Sequence, residues 1–450
     1  MYHFPKTVLS RQQLVEALTV KSKLNDYGQK VVYCFKETAN EFQVPVAWAK
    51  HYTTLPFGKL NDRKPTIKIS WPVRKGDYIN NQAEVVAASI EHVKQFYSGY
   101  VQADTGFGKS YAALDIARQL ETNVLILCHK TDVLRQFELT AKDYFQVDCG
   151  YIMGKKRNDL TNPVILSTMQ TFVKRIEADP TIADKFGLMI LDEMHRTGCD
   201  TYVKIMQKTN CRYCIGMTAT LRRADLLHPV WENYLGKLII RGKKTKETKR
   251  LVYTPIVDCS RINFGDFMDW QGKINHTQGL TALATNTDYN NWIVETIETL
   301  LAKNRRPIFT TKRKEQIEIL ERMLKLKGIE TGIYVGGSHN GKTLKQNDLI
   351  EALKRPVLLA TDTKVGEGMD VKNMLGEDFD VKYAFDTIII GSLCKDSEQQ
   401  IGRIRDYEGL RNIPLIIHPT VNIDYCRNFV NTCKKKYYKN FDFIAGLSEV

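Results

Sequence analysis

From about residue 76 the chain alternates short continuous apolar runs with amphipathic helical stretches, and this alternation restricts its folds more than any other feature. A run without polar alternates has no face to offer water. It belongs in a sheet covered on both sides, as parallel strands flanked by helices are. Residues 123–128, 163–168 and 188–192 are such runs. The pattern restarts after about residue 286, with runs at 307–310, 332–335, 356–360, 387–390 and 414–417. Among these lies a helix with Ile317, Leu320 and Leu324 on one face, stopped by Gly328. The expected fold class is α/β, with two parallel-sheet units in tandem. The expected divisions are 76–230 for the first unit and 286–450 for the second. Residues 231–285 read as a linker or insertion. Lys237, Arg241, Lys243, Lys244, Lys246, Lys249 and Arg250 make its first part basic, and the rest lacks periodicity. Residues 1–75 read as a separate small basic α+β domain, with strand-like runs at 31–35 and 66–69. A chain of 450 residues has the length for two or three cores.

Charge narrows the partners. The formal net charge is +14, and residues 1–75 hold 13 Lys or Arg against 5 Asp or Glu. A basic surplus fits a polyanion, above all nucleic acid, and equally a solvated lysine-rich surface; charge alone leaves the two about even. Trp48, Tyr52, Phe57 and Trp71 stand among these lysines, but aromatics so placed belong to cores more often than to base-stacking platforms. The lysine-rich tail at 434–439 reads as a solvated helix end. The ten cysteines follow no disulfide or zinc framework and fit reduced thiols in a cytoplasmic protein. No stretch is apolar for long enough to span a bilayer, and the first residues do not follow the signal-peptide pattern.

Two segments compete as a phosphate-binding loop. Residues 336–343 satisfy G-x-x-x-x-G-K-[ST] at every position, whereas in residues 103–110 Ala103 stands where the first glycine belongs. Context favours the second. Such a loop leads from a strand into a helix, so that free N–H groups and the helix dipole face the phosphates. A short strand precedes Ala103, and a strong helix follows Ser110. The chemistry also needs a carboxylate at the end of another strand, and Asp192 and Glu193 supply it. The 336–343 segment has no such acidic strand end after it and reads as a glycine-rich surface loop. ATP and Mg2+ are therefore the expected cofactors. Thr105, Gly106, Phe107 and Gly108 would wrap the phosphates, and Lys109 would neutralise β- and γ-charge. Ser110 and Asp192 would hold magnesium, the latter through water. Glu193 would orient and deprotonate the attacking water.

Asp192-Glu193-Met194-His195 resembles the DExH box of superfamily 2 helicases, and further segments follow in that family's order over most of residues 76–406. Gln82 stands where these proteins carry an adenine-contacting glutamine. Residues 127–136 resemble motif Ia, 151–156 and 167–172 the next two strand-binding motifs, and 216–221 motif III. Residues 360–370 are similar to motif V and 399–403 to motif VI. The resemblance implies two tandem RecA-like domains with ATP between them. It makes Gln399 and Arg403 catalytic, with Arg403 an arginine finger, gives His195 a coupling role, and places Gly368 and Asp370 at the nucleotide. Strand contacts would come from Thr131, Arg135, Gly154, Lys155, Thr168 and Gln170, then Thr310, Lys312, Thr361 and Lys364. One departure stands out: the last arginine of motif VI falls on Asp406, and Arg405 comes one place early, about 100° away on a helix.

Residues 218–225 resemble the XPB-type repair helicases, and the layout resembles the UvsW-like branch-migration helicases of tailed phages. This implies DNA as partner, a single strand in the motor channel and a duplex or fork at the N-terminal domain, with 3′-to-5′ movement in a bacterial host's cytoplasm. An RNA-dependent ATPase or RNA helicase is the alternative, because the core motifs grip a sugar-phosphate backbone. A nucleic-acid-binding protein with an impaired ATPase is suggested only by Asp406. A translocase subunit of a restriction complex finds no nuclease-like cluster in the short flanks.

Overall fold

The computed structural model describes all residues except 24–27, 53–58, 61–66, 105, 155–156, 159, 195–198, 220, 222–224, 244–248, 367–368, 396, 405–406 and 408. The chain divides into two compact units, Met1–Lys246 and Glu247–Val450.

Seven parallel strands build the main sheet of the first unit. Their spatial order is Cys149–Met153, Val164–Thr168, Val124–Cys128, Leu188–Asp192, Tyr213–Thr218, Ser98–Ala103 and Leu238–Gly242. Arg157–Asn158 adds a short antiparallel edge. Val124–Cys128 and Leu188–Asp192 are buried at every position, as unbroken apolar runs require. Successive side chains point to opposite faces. Leu125, Leu127, Ile165, Met189 and Leu191 therefore join one core. Val124, Ile126, Val164, Leu166, Leu188 and Ile190 join another, with the helices Gln82–Phe96, Lys109–Gln119 and Thr131–Phe145.

The first fifty residues do not surround a core of their own. The strands Tyr2–Pro5, Lys36–Glu37, Glu41–Val44 and Lys59–Leu60 form an antiparallel sheet. Its apolar side chains, Phe4, Phe42 and Val44 with Leu14 and Leu18, belong to the same buried cluster as Met189, Leu191 and Trp231. Trp48 packs against that cluster. Trp71 donates from Nε1 to the Thr122 carbonyl at 2.9 Å and meets Phe145 edge-on. Both indoles are therefore part of the packing, while Phe57 and the side chain of Tyr52 lie outside the described residues.

The second unit repeats the plan with seven parallel strands. Their order is Thr331–Tyr334, Val357–Thr361, Pro307–Thr311, Thr387–Ile390, Leu415–Ile417, Leu251–Tyr253 and Asp442–Phe443. Phe309, Leu359, Ile389 and Ile417 face one core, and Ile308, Leu358, Ile388 and Ile416 the other. Residues 231–285, expected as a linker or insertion, divide between the units. Leu238–Gly242 closes one edge of the first sheet, and Leu251–Tyr253 enters the second. These strands are short, and the first is only partly buried, so neither yields a long apolar run. Arg250 is buried over the Phe441 ring and donates to the Ile404 carbonyl at 3.4 Å. No helix among the described residues is long and apolar enough to cross a membrane.

Candidate active site

Ser98–Ala103 ends at the loop that leads into the helix Lys109–Gln119, whose N-cap is Gly108. Gly106 and Gly108 have φ of +84° and +89°, in the left-handed region that a side chain disfavours. Ala103 pairs in register with Gly242 on the outer strand. A Cβ at Gly242 would lie 2.7 Å from that of Ala103 and 2.9 Å from the Phe107 ring. The glycine missing from the loop thus has its space supplied from the neighbouring strand. Phe107 is buried, so only its backbone can face a ligand.

Lys109 Nζ donates to Glu193 Oε1 at 2.9 Å and to the Ala103 carbonyl at 3.2 Å. Two segments eighty residues apart in sequence meet here because the strands that end in them share one sheet edge, with Tyr213–Thr218 between them. Asp192, on the last residue of its strand, is 5 % exposed. Glu193 has φ +46°, a left-handed turn that costs about 1 kcal/mol for a residue with a side chain and sets its carboxylate toward the lysine. Burial, reinforced by Asp192 and Glu193, pushes the Cys128 thiol well up, so Cys128 stays neutral beside the carboxylates. Ser110 lies in the first turn of the helix. Thr105 and His195 lie outside the described residues.

Gln82 is buried. Its Nε2 donates to the Phe107 carbonyl at 2.9 Å, and its Oε1 accepts from the Ile79 N–H at 3.0 Å. In this structure the glutamine braces the phosphate loop. A Cβ at Gly108 would lie 2.2 Å from Nε2, so a side chain there would displace the Gln82 amide, on a left-handed backbone that itself disfavours one.

The residues fit a nucleotide triphosphate: a glycine cradle, a lysine amine and a helix N-terminus converge on one place. They also fit magnesium, which takes few protein oxygens and completes its shell with phosphate and water, as Ser110 and Asp192 would allow. The better sequence match folds differently. Ser338–His339 and Lys342–Thr343 form an antiparallel hairpin, and Asn340 and Gly341 turn it with φ of +47° and +77°. Lys342 pairs with Asp348 at 2.8 Å on the surface. No helix begins at Lys342 to present N–H groups.

In the second unit Arg403 donates to the Met369 carbonyl at 3.1 Å and the Gly366 carbonyl at 2.6 Å, which ties the motif VI segment to the motif V loop. Asp370 is buried at the head of the helix Val371–Leu375. Gln399 lies on the short helix Glu398–Ile401. Its side chain, with Gly368, Arg405 and Asp406, falls outside the described residues. Of the strand-contact candidates, Thr310 is fully buried and its hydroxyl donates to the Ile389 carbonyl at 3.4 Å, so it does not face a ligand. Thr168 caps the helix Met169–Ala178 through the Thr171 N–H. Lys312 is exposed and donates to the Leu393 carbonyl at 3.0 Å. Lys155 is outside the described residues.

Sequence reading missed two features. Burial, opposed by the charge of Lys312, pushes the Asp362 carboxyl up to about 6. Tyr438 Oη joins His418 Nδ1 at 2.9 Å and Ser397 Oγ at 3.2 Å in a buried chain beside Glu398–Ile401. Its members come from three distant segments and share no motif, so no sequence signal marks them.

Residues 76–223 match the family described as Type III restriction enzyme, res subunit. A putative ATP-dependent RNA helicase of Acanthamoeba polyphaga mimivirus is 24 % identical over 418 residues, 88 % of this chain and 75 % of that protein. A probable helicase of Escherichia phage T5 is 21 % identical over 308 residues, 68 % of this chain and 64 % of the relative. A DNA 3′-5′ translocase of Sulfurisphaera tokodaii is 27 % identical over 188 residues, 42 % of this chain and 38 % of the relative. Among solved structures, Dbp5 of S. cerevisiae bound to RNA is 13 % identical, with a TM-score of 0.55 over 82 % of this chain and 90 % of its own. That likeness shows the fold, tandem RecA-like domains. The fold, the matched domain and these relatives together support a superfamily 2 helicase.

Proposed function

We propose that this protein is an ATP-dependent DNA helicase or translocase of the DExH-box, UvsW-like and XPB-like kind, as in the T5-type tailed phages. It couples ATP hydrolysis to unwinding or branch migration of forked or four-way DNA. The observation that carries the ATPase is the 2.9 Å contact of Lys109 with Glu193 at the end of the phosphate loop. ATP entering this site displaces Glu193 from the lysine, which then neutralises the β- and γ-phosphates. The freed carboxylate orients water and accepts its proton. Ser110 and Asp192 would hold magnesium, which would supply charge neutralisation at the phosphates. Gln82 keeps the loop carbonyls turned inward, so that the N–H groups stay outward. His195 couples the site to movement, and Gln399 acts with Arg403 in catalysis. Arg403, released from the motif V carbonyls, stabilises the transferring phosphoryl group, and Gly368 and Asp370 complete the nucleotide contacts. Loss of the γ-phosphate ends these contacts and changes the grip on the strand. In that cycle a single DNA strand runs in the motor and a duplex or fork rests on the N-terminal segment.

The net charge of +14 supports a nucleic-acid partner. The XPB-like segment and the relative described as a DNA translocase support DNA. RNA is the second reading, favoured by the mimivirus relative described as an RNA helicase. The test is ATP hydrolysis with DNA and RNA of one sequence, followed by unwinding of forked, tailed and four-way substrates of defined polarity. Stimulation by DNA with unwinding is the expected result; stimulation by RNA alone refutes the DNA assignment.

A further inference from the structure

Ser397 stands at the N-cap of the helix Glu398–Ile401, yet its hydroxyl makes no cap bond. Serine in that position ordinarily accepts from a backbone N–H of the first turn. Here its Oγ meets Tyr438 Oη at 3.2 Å instead. Tyr438 is fully buried, and its hydroxyl also reaches His418 Nδ1 at 2.9 Å. Burying a hydroxyl is costly unless it is bonded, and both of these partners are themselves buried. Burial first, and then the charge of Lys434, hold His418 neutral, so the chain needs no counter-ion.

The same C-terminal segment grips the approach to this helix a second time. Cys433, on the helix Asp424–Lys436, donates from Sγ to the Cys394 carbonyl at 3.1 Å. The Cys394 thiol in turn donates to Gln400 Oε1 at 3.7 Å. From Ser397 the backbone leads to Arg403 through its own hydrogen bonds. The Ile401 N–H donates to the Ser397 carbonyl at 2.9 Å, and the Arg403 N–H to the Gln400 carbonyl at 3.0 Å. Arg403 rests on the carbonyls of Gly366 and Met369. In the cycle proposed above its guanidinium leaves these carbonyls for the phosphoryl group. A swinging side chain arrives at one place only if the backbone that carries it is held, and small misplacements are expensive in rate.

We propose that Tyr438 is a positioning residue for ATP hydrolysis: through Ser397 it anchors the start of the motif VI helix, from which Arg403 reaches the phosphoryl group. The proposal rests on the functional reading above but gives a role to a C-terminal side chain that belongs to no helicase motif in this chain.

The test measures steady-state ATP hydrolysis by the full chain, with saturating oligo-dT or oligo-U, for Tyr438→Phe, Ser397→Ala and the double variant. Each single change is expected to lower kcat about fivefold, the worth of one neutral hydrogen bond, with KM for ATP within about twofold. The double variant should be no slower than the slower single one, because either change removes the same bond. Ile317→Val, a buried change on another helix of the second unit, serves as the stability control and should keep kcat within about 1.5-fold. An unchanged kcat in Tyr438→Phe overturns the proposal. So does a double variant about 25-fold slower, the product of two independent losses, or an equal loss of kcat in Ile317→Val. If the wild-type chain hydrolyses no ATP with either oligonucleotide, the functional reading itself falls, and the anchor with it; an active wild type with an unaffected Tyr438→Phe removes the anchor alone.

Discussion

Replacing Glu193 by Gln separates the two tasks assigned to that side chain. In the structure Glu193 holds Lys109 at 2.9 Å, and the two side chains are only 16 % and 13 % exposed. Such a charge-assisted bond contributes about 1.5–3 kcal/mol, and its neutral replacement about 1 kcal/mol less. ATP competes with this carboxylate for the same amine. Glu193→Gln should therefore bind ATP more tightly, by about fivefold. The amide cannot accept a proton, so hydrolysis should fall by about 10²–10⁴-fold. Glutamine meets the same strain at φ +46°, so the fold should be unaffected. A fluorescent ATP analogue titrated into both proteins gives affinity, and phosphate release gives the rate. Hydrolysis within threefold of wild type, or weaker ATP binding, would refute the competition between Glu193 and ATP for Lys109.

Gly108→Ala should weaken ATP binding on the order of 30-fold through left-handed strain and loss of the Gln82 bond, measurable by the same titration. Lys109→Ala should abolish DNA-stimulated hydrolysis while sparing DNA binding, whereas Lys342→Ala should leave both within twofold; the reverse pattern would return the site to the hairpin. His418 is buried beside Tyr438 and held down to about 3. Its folded-state pKa is below the unfolded value of about 6.5, so the stability it contributes is full above pH 6.5 and lost as pH falls toward 3. Urea melts should show wild type losing stability relative to His418→Asn by up to about 1.4 kcal/mol per pH unit across that window, and a constant difference would be contrary evidence.

The apolar runs alone specified two parallel α/β units, because strands covered on both faces cannot carry polar alternates. Lys109, Ser110, Asp192 and Glu193 stand out as candidates for a related reason: the chemistry calls for particular residue types at strand ends, and strand ends are visible. What the sequence misrepresented were places where a role depends on a neighbour distant in the chain. Gln82 reads as a base contact, and packing adds a second task, bracing the phosphate loop. Thr310 reads as a strand contact, and the sheet buries it. Residues 1–75 read as a separate domain because their local pattern changes, but Phe4, Leu14, Leu18, Phe42 and Val44 join the core of the first sheet. The perfect glycine-lysine pattern at 336–343 failed because Asn340-Gly341 turns a hairpin there. The imperfect loop stands because Gly242, more than a hundred residues away, leaves room for Ala103 and Phe107. Local residue types determined which groups could handle phosphate; only the sheet, by setting two strand ends side by side, decided that Lys109 meets Glu193.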